Sequence, residues 1–183
     1  MKTASDPRHL KRIKLMQKLF AASFREKPDF TIKDIWDKLD LIDPLIAKSA
    51  PEWPLDRINP TDLAILRLAV WELVIDKTTP LRVIIDESVE LAKEFGADNS
   101  PAFVNGVLGS LTKVMQLKEA IIQFLANEWK QNPENINIDT VLADFNWNQE
   151  ILERMQEALD LTLPDDHEEL VTVGDLIVAY DKS

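Results

Sequence analysis

Apolar residues recur along most of this chain at spacings of three and four, the period of a helix with one buried face. Asp6-Pro7 is a helix start, a cap followed by a proline suited to the first turn. After it, Leu10, Ile13, Gln17, Phe20 and Phe24 trace a stripe, reinforced by Met16 and Leu19. Arg8, Lys11, Arg12 and Lys14 fall mostly off that stripe, so the helix is expected to carry cations near its start and an apolar seam along its length. Thr31 to Leu39 reads as a second helix with Ile32, Ile35, Trp36 and Leu39 inward. Asp43-Pro44 is expected to start a third, and Pro51 and Pro54 bracket the loop after it. Asn59-Pro60-Thr61-Asp62 starts a fourth that runs to about Ile75. It is apolar on most sides and should therefore lie centrally in a bundle.

The pattern continues past the short loop Lys77 to Pro80. Val83 to Phe95 is predicted helical, with Gly96 as a left-handed cap. Asn99-Ser100-Pro101 starts another helix with Phe103, Val104, Val107, Leu108 and Leu111 inward. Lys118 to Lys130 is amphipathic and is broken by Asn132-Pro133. A looser stretch leads to a helix over Gln149 to Leu159. Thr172-Val173-Gly174-Asp175 has capping-box spacing before a short last helix. The expected class is all-α, in two parts: residues 1–115 and a small helical domain at 118–183.

Charge sharpens this division. The 183 residues carry a net charge of −11. Residues 1–117 hold 17 basic and 17 acidic side chains, whereas 118–183 hold 4 and 15, so the whole imbalance lies in the last third. The first 27 residues hold 8 basic and 2 acidic side chains. Units of such different charge usually do different work. The split also raises the expectation that the acidic third masks the basic start. There is no cysteine, which removes disulfides, thiolate metal sites and cysteine nucleophiles and fits a reducing cytoplasm. No apolar run is long enough to cross a membrane, and no apolar core of a secretory signal follows Met1. Gly is scarce at 4 residues, so no phosphate-cradling loop is expected. His9 and His167 fall in different parts, with no spaced carboxylate partners. Neither catalysis, a metal nor a cofactor is expected.

Three stretches carry a resemblance. They are Ile65 to Leu73 (ILRLAVWEL), Pro80 to Gly96 (PLRVIIDESVELAKEFG) and Phe103 to Leu108 (FVNGVL). In this order and spacing they closely resemble the NusB family over nearly all of residues 8–111. The resemblance implies an all-helical bundle that binds boxA-type single-stranded RNA together with a small-subunit ribosomal protein, called NusE in antitermination. Its setting would be the transcription elongation complex and ribosomal RNA synthesis. It places the basic first helix and the Phe103-Asn105-Gly106 region on the RNA side, and Glu72, Glu87 and Glu90 near the partner protein. The residue types suit that role. Arg8, Lys11, Arg12 and Lys14 can meet phosphates, Lys77 and Arg82 can add contacts from their loop, and Phe103 can offer a ring to a base. On spacing alone, Phe103 reads as core rather than as a base platform, and Glu72 and Glu87 read equally as ordinary surface charges. Against the family pattern, His9 and Ile13 stand where basic or small residues are common, which thins the basic arm.

Residues 118–183 are similar to acyl carrier proteins in two segments, Leu159 to Asp165 and Val171 to Leu176. That family needs a serine to carry phosphopantetheine. Here the matching motif is Asp144-Phe145-Asn146, and no serine occurs from 111 to 182. The resemblance therefore implies a carrier-like fold without the prosthetic group, an acidic docking module. An unrelated helical extension is the other reading. For the whole chain, the alternative to an RNA-binding factor is a protein-interaction scaffold that has lost RNA and uses this acidic module.

Overall fold

The computed structural model describes residues 6–24, 28–162 and 170–181, which divide after Leu111 into two compact units. Lys2, Arg25 and Lys27 of the basic start lie outside the described residues, as do Leu163-Pro164-Asp165 and His167. Every regular element among the described residues is helical, and a single β-bridge joins Val141 to Thr172.

In the first unit, α1 (Pro7–Ala22) begins where the Asp6 side chain accepts a hydrogen bond from the Arg8 N–H. Its buried residues are Arg12, Met16, Leu19 and Ala22. This corrects the expected stripe. Leu10 and Phe20 lie partly in solvent and Phe24 mostly so, while the charged Arg12 is inside. The second helix is shorter than expected, α2 (Lys33–Trp36). The third, α3 (Leu39–Ser49), starts ahead of Asp43-Pro44 and carries Pro44 within it. Asp43 does not cap. Its carboxylate instead receives the Arg67 guanidinium from α4 at 2.8 and 2.7 Å.

Helix α4 (Pro60–Trp71) has eight buried residues in twelve, and it packs against α1, α3 and α5, as its near-uniform apolarity predicted. Asp62 at its start is buried beside Ser100, and burial pushes its carboxyl above the usual range while the Ser100 hydrogen bond opposes that. Beyond Trp71 the ladder widens into a π-helical turn, Glu72–Asp76, that ends on Lys77 in the left-handed region (φ 54°). The expected continuation to Ile75 is thus helical but not α. Helix α5 (Leu81–Phe95) ends at Gly96, which is extended rather than left-handed. Glycine is needed there for space, since a Cβ would come within 2.4 Å of Ser100 Cβ and 2.6 Å of the Ala92 carbonyl oxygen.

Helix α6 (Ser100–Trp129) runs unbroken where two helices were expected, and the boundary between the units falls inside it. Its first part buries Val104, Val107, Leu108 and Leu111, and its last part buries Ile121, Leu125 and Ala126. The second unit adds α7 (Gln149–Leu159) and α8 (Val173–Asp181). Its core joins Ile121 and Leu125 to Leu142, Met155, Val173, Leu176 and Tyr180. The expected capping box forms. Thr172 Oγ1 accepts from the Asp175 N–H at 3.2 Å, and Asp175 Oδ2 accepts from the Thr172 N–H at 2.8 Å. The bonds that Oδ2 accepts from the Thr172 N–H and hydroxyl hold the Asp175 carboxyl below its usual range.

Candidate RNA interface

The basic start of α1 is organised by one buried arginine. Arg12 is 7% exposed, and its Nε and Nη2 donate to the Glu72 carboxylate at 3.0 and 2.7 Å. Nη2 also reaches Thr79 Oγ1 at 3.4 Å, and Nη1 lies 3.8 Å from Glu87 Oε2. Glu72 opens the π-helical turn and Thr79 sits in the following loop, so this guanidinium fastens α1 to the segment that carries Lys77. Beside it, His9 Nδ1 lies 2.8 Å from Glu87 Oε2 and Nε2 3.4 Å from Glu94 Oε2. The Glu87 hydrogen bond raises the His9 pKa above its usual value.

This arrangement changes three assignments. Arg12 was expected on the surface, but a guanidinium bonded on both edges inside the fold is a positioning group. Glu72 and Glu87 were expected to face a partner protein; both are buried and hold Arg12 and His9. Their partners lie 60 to 78 positions away, beyond the reach of any local pattern. His9 and Thr79 were missed for the same reason.

The other cations stay outside. Arg8, Lys11 and Lys14 are exposed on α1, as are Lys77 and Arg82 on the loop and the start of α5. Arg8 leans back on its own cap, with Nη2 3.2 Å from Asp6 Oδ2. That contact holds the Asp6 carboxyl below its usual range. The short reach from Arg12 to Thr79 brings the α1 cations and the Lys77 loop into one neighbourhood.

Phe103 and Asn105 open onto different grooves. Phe103 is half-buried and meets Trp53 edge to face, with ring centroids 5.8 Å apart. Both line a groove of about 310 Å³ with Ala50, Pro51 and Gly106. Trp53 is half exposed, and its setting between Pro51 and Pro54 is the signal that could have marked it. Asn105 instead lines a groove of about 510 Å³ with Ile85, Asp86, Val89, Glu90 and Lys93. Glu90 accepts from Lys93 Nζ at 2.7 Å and is exposed. No group of three or more His, Asp or Glu side chains among the described residues is placed to hold a metal. No helix there is long and apolar enough to cross a membrane.

Comparison with known proteins addresses the first unit. The NusB family profile matches residues 11–113. A transcription antitermination protein NusB of Chloroflexus aggregans is 47% identical over 88 residues, covering 46% of this chain and 59% of that protein. The same-named protein of Roseiflexus sp. is 49% identical over 78 residues, covering 42% of this chain and 55% of its own length. For these two relatives the chain spans less than two thirds of their length. That of Herpetosiphon aurantiacus is 39% identical over 104 residues, covering 55% of this chain and 71% of that protein. A solved structure of T. maritima NusB superposes with a TM-score of 0.51 at 34% identity, covering 62% of this chain and 93% of that one. The profile ends two residues past the first unit, and through that unit this chain belongs to the NusB family.

Proposed function

We propose that this protein is a non-enzymatic transcription antitermination factor that binds boxA-type single-stranded RNA together with the ribosomal protein NusE, within the elongation complex during ribosomal RNA synthesis in the cytoplasm. The observation that carries this reading is the buried Arg12–Glu72 pair with its reach to Thr79. It commits one cation to architecture and leaves Arg8, Lys11, Lys14, Lys77 and Arg82 outside the core to meet phosphates. Such cations bind RNA by releasing its counterions. Phe103 adds an aromatic surface of the kind on which unpaired bases stack. Glu90, exposed on α5, is our candidate contact for NusE, and Asn105 across the same groove stays with the RNA side.

The expected test is RNA affinity measured against salt, with NusE present. The K11A/K14A double variant should weaken boxA binding. It should also lower the slope of log affinity on log salt by about 0.7 for each phosphate that is no longer neutralised. Equal affinity for boxA and an unrelated oligomer would sink the proposal.

For the second unit we infer a carrier-like helical fold without a prosthetic group. Support comes from Phe145, which occupies the expected serine position and stacks on Trp129 with centroids 4.5 Å apart and planes 16° from parallel. A phosphopantetheine ester needs a hydroxyl that this ring lacks.

A further inference from the structure

The second unit contains a cavity of about 500 Å³ where the end of α6, the turn before α7 and the first turns of α7 meet. Its walls combine two features. One is the Trp129–Phe145 stack, with both rings half-buried. The other is a set of three carboxylates: Glu128 from α6, Asp144 from the turn and Glu150 from α7. Among the described residues one cation lines the same space, Arg154, which pairs with Glu128 and lies 4.0 Å from Glu150. Its side chain is 48% exposed, and Glu150 is 80% exposed. The cavity therefore keeps an excess of two negative charges, within a unit that is itself strongly acidic.

Ring faces carry negative quadrupole charge and attract cations, and a planar guanidinium both stacks on rings and forks onto carboxylates. Arg154 shows that a guanidinium fits among these carboxylates. An RNA strand is repelled by them. We propose that this cavity is a docking site for a basic, arginine-bearing segment of a partner protein, with an arginine side chain lying against the Trp129–Phe145 stack and bonded to Asp144 and Glu150. The site shares no residue with the proposed RNA surface and adds a second binding activity to the chain.

The test uses the full chain and a fluorescein-labelled peptide of alternating glycine and arginine, with lysine and glutamine peptides of the same length beside it. Anisotropy at low salt should show binding of the arginine peptide, weaker binding of the lysine peptide and none of the glutamine peptide. Replacing Asp144→Asn with Glu150→Gln should weaken arginine-peptide binding about tenfold, as for two solvent-exposed charge pairs. The control pair Glu134→Gln with Asp139→Asn removes the same charge from positions outside the cavity, and should change binding less than about twofold by loss of general field alone. Phe145→Leu should erase the preference for arginine over lysine. No peptide binding, equal weakening in both double variants, an arginine preference that survives Phe145→Leu, or displacement of the peptide by equimolar spermine would each overturn the proposal. The two double variants keep the size and shape of each side chain, so the outcome does not depend on Phe145→Leu folding.

Discussion

Arg12 is the residue on which the basic face depends. A buried ion pair contributes little net stability over an apolar pair, but removing one partner strands a charge in the core. R12A should therefore destabilise the fold by about 3 kcal/mol, whereas R12M/E72L should stay within about 1 kcal/mol of the parent, both read by urea denaturation. If the single and double variants lose equal stability, Glu72 is not the partner that matters. His9 adds a pH response. Its pKa in the folded chain lies above the free value because protonation strengthens the bonds to Glu87, and to a lesser degree Glu94. The stabilisation is thus complete below the unfolded pKa of about 6.5 and fades as pH rises through the raised value. Thermal melts should show stability falling over that window, and H9Q should flatten the fall.

At the level of elements, helix starts are set by local chemistry and could be read directly. Asp6, Asn59, Asn132 and Asn148 each accept a backbone hydrogen bond at the start of a helical segment, and Thr172 with Asp175 completes a reciprocal box. T172A should cost the second unit about 1 kcal/mol, seen as a lower melting midpoint for that unit, and should leave RNA affinity unchanged. What local chemistry did not show is where helices continue. The stretch between Leu111 and Lys118 holds no breaker, yet the change of charge there suggested a boundary. The backbone instead carries α6 through it. Likewise, Asp43-Pro44 has the form of a helix start, but Asp43 is claimed by Arg67, 24 residues on. Pro44 is accommodated inside α3.

For the whole molecule, charge is the dominant asymmetry. An acidic unit tethered to the proposed RNA-binding face opposes RNA wherever the two come within about a Debye length. Neutralising Glu134, Asp139, Glu153 and Glu157 to their amides should tighten RNA binding severalfold at about 50 mM salt and hardly at all at about 0.5 M. Unchanged affinity at the lower salt would show that the two charge distributions act independently.

The sequence by itself determined the all-helical class, the central place of α4, most helix starts and membership of the NusB family through three linked motifs. The first three follow from periodicity and capping, which act over a few residues, whereas the family rests on the resemblance carried by the motifs. Only the tertiary structure decided that Arg12, Glu72 and Glu87 are internal, that Phe103 and Asn105 serve separate grooves, and that Trp129 and Phe145 stack beside a set of carboxylates. Each depends on side chains brought together from distant positions, where a charge that looks solvated in a linear pattern gains a partner able to keep it buried.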